Sequence, residues 1–453
     1  MSNQETWLIS LSIGPVQDFI SAALRTRDLW FGSHMLSEVS KAAAREINKH
    51  EAAELIFPTV DMNSEELEEN SPLNVANRIV AEMSGDENTV KEAIGAGKEA
   101  AKQKLSCLIE QAKSKVPIPI RKKIWDIQAQ PDDLLELYGT AVRIKDENYP
   151  KAWKDLSRLN SARKNSRDFK PQLNNPEEDV LYGLPKSSLD GRRETVLPES
   201  LSKQVRRRLR MGEGEQLDVM GLVKRLAGGE LNEQKQFNPS AKLQFTPTTR
   251  IAIDPWLRKI KDEEKDDVKK NPSSSTLKKI SDTLGKYQNI LMDTGLMTKV
   301  QGNEKIFGDM PFDAGLLYRS VLEAHIQKSK NEGREREENI LKGLGRGSLK
   351  DAWTTYGQPC PYYALLLADG DHMGNLIKAA QDKDHHKEIS KCLSEFARSV
   401  PETARKEEYR AHCIYAGGDD VLLMAPLDTV LPLADELRTA FTEKLQKVAG
   451  DLD

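Results

Sequence analysis

Cysteine is scarce in this 453-residue chain: the four cysteines are scattered, and no two form a Cys-x-x-Cys pair. A disulfide framework and a structural zinc site are therefore not expected. The chain also lacks any apolar run near the ~18 residues of a membrane-spanning helix. Its first residues have neither the basic start nor the apolar core of a signal peptide. We therefore expect a cytoplasmic protein without membrane contact.

An excess of positive charge is also missing, because the formal net charge is −4. This excludes a protein that coats nucleic acid with a uniformly basic surface, but local basic patches are still compatible with this charge. Hydrophobic residues make up 38% of the chain and charged residues 30%, which is typical of a globular protein with a polar surface. The length is sufficient for two or three domains.

Three short apolar runs near the C-terminus predict buried strands. Tyr362–Ala368 is followed by Asp369-Gly370-Asp371, and the second run, Cys413–Ala416, leads through Gly417-Gly418-Asp419-Asp420 into the third, Val421–Met424. Short apolar runs bounded by Gly and Asp are typical of strands. The Gly-Gly pair supplies the positive φ angles of a tight hairpin. The predicted order is strand, helix, strand, hairpin, strand.

Asp369 follows the first of these predicted strands, and Asp419 and Asp420 precede the third, which together predict a metal site. If the first strand lies beside the hairpin, Asp369 lies close to Asp419 and Asp420. Three crowded carboxylates repel one another unless a cation neutralises them, and such an oxygen site suits Mg²⁺ or Mn²⁺ holding nucleotide phosphates. The alternative is a polar hairpin tip and an ordinary turn, since Gly and Asp are common turn residues. The pairing of both motifs in one βαββ order favours the metal site.

The N-terminal part predicts a second strand-and-helix unit. Trp7–Ile13 is apolar with partial alternation, Gly14-Pro15 breaks it, and a long amphipathic helix follows from Gln17. Arg25 and Arg27 interrupt the apolar pattern of this helix. They are either part of a solvated face with local ion pairs or phosphate contacts near a helix start.

The middle of the chain predicts helices and basic loops. From about residue 86 to 150 the sequence is charged and helix-like, which favours an insert over a continuation of the sheet. The stretch after it contains Arg163, Lys164 and Arg167 among few apolar residues. These basic residues either belong to an exposed loop or contact RNA or phosphate.

Several of these motifs together resemble the large palm-bearing subunit of type III-B CRISPR effector complexes. The similar stretches are Ile13–Ile20, Arg25–Ser33 with Leu36-Ser37, Ala162–Phe169, Lys186–Gly191, Leu217-Asp218 with Lys224-Arg225, and Asp369 with Gly417-Gly418-Asp419-Asp420. They span most of the chain. Their combination is specific, whereas a single Gly-Gly-Asp-Asp would not be.

The resemblance implies an α+β fold with two ferredoxin-like palm domains facing each other. In this scheme residues 1–255 form the first palm with its helical insert, 256–355 a helical linking domain, and 356–453 the second palm. The family's last palm strand and C-terminal helical domain are not expected in this sequence, which would make it C-terminally truncated. The paired cysteines of the family's zinc module are also missing from this sequence. The His-Asp dyad of the HD nuclease found in many relatives is missing too, so nuclease activity is not expected.

The resemblance also implies a function: ATP binds between the palms, and target-RNA recognition triggers cyclic oligoadenylate synthesis. The implied partners are the other subunits of the complex, a guide RNA and a target RNA. Asp369, Asp419 and Asp420 would be catalytic and hold Mg²⁺ or Mn²⁺. The further candidate nucleotide contacts are Gly14, Gln17, Gly370, Asp371, Gly374, Gly417 and Gly418. The first palm, with no acidic residue at the Gly14 tip, would bind a nucleotide without housing the metals.

Other functions remain open at this point. A freestanding diguanylate-type cyclase would have one palm and a Phe after its acidic pair, where this chain has Val421. A non-catalytic scaffold would bind RNA and partner subunits and keep the Asp cluster as a vestige. S-adenosylmethionine is an alternative acceptor for the AMP group.

Overall fold

The computed structural model describes residues 5–60, 65–166, 183–227, 246–297, 312 and 314–449. Within these ranges, no helix is both long enough and apolar enough to span a bilayer. The predicted RNA contact Arg167 lies outside the described residues.

The N-terminal sheet has four antiparallel strands in the order β2-β3-β1-β4. Its strands are β1 (Glu5–Gly14), β2 (Ala53–Phe57), β3 (Arg78–Gly85) and β4 (Glu136–Arg143). Helix α1 (Val16–Ser21) and helix α2 (Thr26–Asn48) connect β1 to β2, and α3 (Glu87–Ser114) connects β3 to β4. A βαββαβ order with this arrangement is ferredoxin-like. We call this unit the first palm.

The prediction of a helical insert over about 86–150 is wrong in its central point. Residues 136–143 form β4, which pairs with β1 along its length, so this segment continues the sheet. Helix α3 packs on the same sheet: Ala101 and Leu105 share a core with Ile9 and Leu11. The sequence pattern does not predict this strand, because β4 lies at a sheet edge and is only half-buried, which leaves little apolar alternation in its sequence. The boundaries proposed at 255 and 355 stay predictions.

The other face of the first sheet is covered by α6 (Tyr149–Asn165). Alternate residues of β1 point to this side. They change from Leu8, in an apolar cluster with Trp153, to the buried serines Ser10 and Ser12. Ser12 Oγ donates a hydrogen bond to Asn160 Oδ1 at 3.1 Å. This face is therefore polar towards the Gly14 end of β1.

Four helices outside the βαββαβ order pack against the first palm. Two lie between α3 and β4, α4 (Lys122–Gln128) and α5 (Pro131–Leu134), and two lie within residues 183–227, α7 (Lys203–Arg208) and α8 (Val219–Leu226). In α8, the buried Arg225 guanidinium pairs with the buried Asp28 carboxylate of α2. The Lys224 ammonium donates to the carbonyl oxygens of Phe19 and Ala22. Helix α8 therefore fixes the start of α2 in place.

The segment between the two sheets is mainly helical where it is described. Its helices are α9 (Thr248–Glu263), α10 (Lys265–Lys270), α11 (Thr276–Lys286), α12 (Gln288–Asp293), α13 (Arg319–Asn331), α14 (Glu335–Arg346) and α15 (Ser348–Tyr356). They share a core that includes Ile253, Trp256, Leu284 and Leu341. Residues between the two palms thus form a helical body with its own apolar core.

The C-terminal sheet has three antiparallel strands in the order β5-β7-β6. They are β5 (Ala364–Ala368), β6 (His412–Gly417) and β7 (Asp420–Ala425). Helices α16 (Met373–Ala379) and α17 (Lys383–Ala404) lie between β5 and β6, and α18 (Val430–Ala449) follows β7. The predicted order of strands and hairpin is confirmed. We call this unit the second palm.

The two palms contact each other directly through α17 and the hairpin between β6 and β7. Lys383 Nζ lies 2.6 Å from a carboxylate oxygen of Glu54 and 2.7 Å from one of Glu82. The Asn74 side-chain amide donates to the carbonyl oxygen of Ala416 at 3.0 Å. With the two sheets and the helices around them, the predicted α+β fold with two palms is confirmed.

Candidate active site at the end of the second sheet

The structure brings the predicted carboxylates together. Ala368, the last residue of β5, pairs with Val421 of β7, so Asp369 comes next to Asp420 at the start of β7. The carboxyl groups of Asp369 and Asp420 lie within hydrogen-bonding reach of each other. Asp419 precedes Asp420 and is close enough for the Asp369 charge to affect it. The sheet register therefore produces the cluster that the sequence predicted.

Mutual repulsion shows in the protonation of this cluster. Burial, the charge of Asp419 and the hydrogen bond to Asp369 together raise the pKa of Asp420 to about 6. Burial and the charge of Asp369 also raise the pKa of Asp419. A divalent cation would remove this repulsion, because it favours the charged form of every carboxylate around it.

Glycines let the backbones approach closely here. Gly418 has φ 85, a conformation that side chains with a Cβ rarely adopt. A Cβ on Gly417 would lie 1.9 Å from Tyr415 Oη, and one on Gly370 would lie 2.9 Å from the Asp419 Cβ. Glycine at 370 thus lets the end of β5 lie against the hairpin, and glycine at 417 leaves room for the Tyr415 ring of the same strand.

The donor set fits Mg²⁺ or Mn²⁺. Within the described ranges, no group of three or more Asp, Glu, His or Cys side chains is placed so that it could hold a metal ion, so the three aspartates do not form a complete metal cage by themselves. Such a cage is not needed for Mg²⁺, which keeps several waters and binds through one or two carboxylates plus substrate phosphates. Asp369 and Asp420, with Asp419 beside them, supply ligands of this kind.

The other predicted nucleotide contacts lie at the two strand ends. Asp371 and Gly374 are exposed at the start of α16, and Gln17 is exposed after β1. Gly14 pairs with Glu136 of β4, and a Cβ on Gly14 would lie 3.4 Å from Glu136 Oε2. The first palm therefore does have a carboxylate near its Gly14 tip. The sequence does not indicate it, because Glu136 comes beside Gly14 only through the pairing of β4 with β1.

The predicted RNA contacts are dispersed. The exposed Arg25 pairs with Glu215 at 3.4 Å, whereas Arg27 is buried. The Arg163 guanidinium lies 5.3 Å from the centre of the Tyr138 ring, and Lys164 is exposed at the end of α6. The contact of these side chains with RNA stays a prediction.

A cavity of about 180 Å³ separates the two palms beside the carboxylate cluster. Phe57, Arg78 and Trp153 belong to its first-palm wall, and Ser394 with the Gly417–Asp419 hairpin belongs to its second-palm wall. Sequence reasoning missed this set, because its members come from distant segments and carry no local motif. Of the residues that line it, only the hairpin residues Gly417, Gly418 and Asp419 were predicted from the sequence.

Two ferredoxin-like palms with an acidic hairpin in the second define the class of palm-domain proteins related to nucleotidyl cyclases. Residues 362–451 match the family model described as Cas10/Cmr2, second palm domain. Residues 8–111 match the model described as CRISPR-associated protein Cmr2, N-terminal. The resemblance to the large palm-bearing subunit of type III-B complexes is thereby confirmed.

Similar proteins agree with these matches. The Cmr subunit Cmr2 of the CRISPR system of Pyrococcus furiosus is 29% identical over 163 residues, which cover 30% of this chain and 18% of that protein. A cryo-EM structure of type III-B Cmr-beta in the apo state matches with a TM-score of 0.62 at 16% identity. The same complex bound to cognate target RNA matches with a TM-score of 0.56 at 15% identity. Each structural match covers 97% of this chain and 62% of the other, so the chain spans less than two thirds of these relatives.

Proposed function

We propose that this chain is the large subunit of a type III-B CRISPR complex and makes cyclic oligoadenylates from ATP when the complex binds target RNA. The two family matches support the subunit assignment. The observation that carries the enzymatic part is the convergence of Asp369, Asp419 and Asp420 at one edge of the second sheet. The reaction class is metal-dependent nucleotidyl transfer.

The residues of the cluster have separate tasks in this proposal. Mg²⁺ or Mn²⁺ bound there would neutralise phosphate charge and lower the pKa of the attacking 3′-hydroxyl. Asp420, whose pKa is about 6, is ionised at pH 7.5 and can then act as a ligand. Asp369 and Asp419 complete the acidic face, and open space lies beside Gly418 in the hairpin that carries Asp419 and Asp420.

The proposed partners are a guide RNA, a target RNA and the other subunits of the complex, in the cytoplasm. The structures of Cmr-beta support this, since one of them is a complex with cognate target RNA. In this setting ATP would lie between the palms, beside the carboxylate cluster and the cavity.

The test is an assembled complex given ATP, Mg²⁺ and RNA. We expect cyclic oligoadenylates, separated by chromatography, with matched target RNA and none with unmatched RNA. Asp420→Asn should abolish them, whereas Asp282→Asn, an exposed change on α11, should not. Product made without RNA would favour a freestanding cyclase, and no product under any condition would favour a scaffold; either result contradicts the proposal. Adding S-adenosylmethionine tests the alternative acceptor.

A further inference from the structure

Arg78 of the first palm is a half-buried cation without an acidic partner. Its Nε donates to Ser10 Oγ at 3.3 Å, and its guanidinium lies 5.5 Å from the centre of the Trp153 ring. Its Nη2 is buried and has no hydrogen-bond partner. In the part of the chain that the structure describes, no carboxylate affects the pKa of Arg78, so no Asp or Glu forms an ion pair with it.

A half-buried guanidinium without an acidic partner lowers the stability of the folded protein. Burial alone perturbs Arg78, and it lowers the pKa of the guanidinium. Lys164 adds a second positive charge nearby: burial and, after it, the charge of Arg78 lower the pKa of the Lys164 ammonium. A buried charge is normally paired or hydrogen-bonded. The surroundings of Arg78 therefore favour an anion.

Arg78 occupies the position in the first palm that corresponds to Asp420 in the second. It is the first residue of β3 in the first palm, as Asp420 is the first residue of β7 in the second. Each strand follows the β-β connection of its own ferredoxin-like unit and pairs with the first strand of that unit. At this corresponding strand end, one palm carries a cation and the other a carboxylate.

The cavity extends from Arg78 to Asp419, the residue that precedes Asp420. Arg78 and Asp419 line the same space of about 180 Å³. This is smaller than the roughly 300–1,000 Å³ of pockets that enclose whole drug-sized ligands, so the cavity can take only one part of a nucleotide. The guanidinium of Arg78 and the Gly417–Asp419 hairpin thus border the same space, from the first palm and from the second.

We propose that Arg78 is a binding residue of the first palm for a phosphate group of the nucleotide whose metal ions the second palm holds. This inference rests on the proposed function, since the ligand it names is that reaction's ATP. Arginine suits the task because its planar fork donates two parallel hydrogen bonds to phosphate oxygens.

The test compares ATP with adenosine, which lacks the phosphates. Binding of each ligand to the full chain is measured by isothermal titration calorimetry with Mg²⁺, for the original protein and for Arg78→Met. We expect ATP to bind about 10- to 100-fold more weakly to R78M, the loss of charge-assisted hydrogen bonds, and adenosine to bind unchanged. Arg208→Met, on the exposed face of α7, is the matched control and should alter neither.

The other outcomes overturn the inference. Equal weakening of ATP and adenosine would assign Arg78 a purely structural role, and unchanged ATP binding would exclude the phosphate contact. If R78M does not fold, Arg78→Lys decides in the same way, with a smaller selective loss for ATP expected. An original protein that binds no ATP contradicts both this inference and the proposed function. Selective loss in R78M, together with a complex that makes no product, contradicts the proposed function alone.

Discussion

Replacing Asp420 by Asn should stabilise the metal-free protein, because it removes one of the crowded carboxylates. The pKa of Asp420 is raised from 3.8 to about 6. At about 1.36 kcal/mol for each pKa unit, this rise would correspond to roughly 3 kcal/mol. Asp420 is exposed as a residue and its carboxyl group is only partly withdrawn from water, so screening by water reduces the expected gain to about 1 kcal/mol.

The sign of the pH dependence follows from the raised pKa. Between pH 3.8 and about 6 the folded state binds the Asp420 proton more tightly than the unfolded state does. The free energy of unfolding of the original protein therefore falls as the pH rises through this window. Asp420→Asn lacks this loss, so its advantage should be full at pH 7.5 and smaller at pH 4.5.

Urea unfolding followed by circular dichroism measures this directly. Both proteins are compared at pH 4.5 and 7.5 in EDTA, and again at pH 7.5 in Mg²⁺, with Asp282→Asn as the surface control. Mg²⁺ should stabilise the original protein and leave the Asp420→Asn protein nearly unchanged. A variant less stable than the original in EDTA at pH 7.5, or a difference independent of pH, would refute the reasoning.

Three further predictions concern packing and charge. Gly417→Ala should destabilise the protein by about 1–3 kcal/mol, since the new Cβ would lie 1.9 Å from Tyr415 Oη. The control Gly374→Ala, with open space around it in α16, should be neutral or stabilising by up to about 1 kcal/mol. Urea unfolding gives both free energies, and equal effects would contradict this prediction. Arg225→Ala should cost about 3–5 kcal/mol, because Asp28 would stay buried without its partner; a loss below about 1 kcal/mol would show that the pair is not needed. Asp28→Asn should be milder than Arg225→Ala in the same assay, because the buried Arg225 keeps its ion pair with Glu215 at 3.2 Å, and a larger loss would contradict that reason.

The second palm was predictable from sequence because its signals are local. Each strand of this unit is an apolar run bounded by Gly or Asp, and the Gly417-Gly418 pair marks the hairpin. Antiparallel pairing of β5 and β7 then brings Asp369 beside Asp420 without any further information. Fold and carboxylate cluster follow from the same short stretches.

The first palm and the cavity were less predictable because their signals are long-range. Strand β4 is an edge strand with few buried residues, and its role depends on pairing with β1, far away in sequence. Arg78, Phe57 and Trp153 come together only through tertiary packing. A buried cation with no acidic partner cannot be recognised from sequence, since neither its burial nor its neighbours are encoded locally.

The most direct test of the central claim is a crystal structure of the chain with Mn²⁺ and a non-hydrolysable ATP analogue, in which anomalous scattering locates the metal. We predict an anomalous peak coordinated by carboxylate oxygens of Asp369 and Asp420, with Asp419 and the phosphates around it. A nucleotide bound with its metal away from these three carboxylates would contradict the claim.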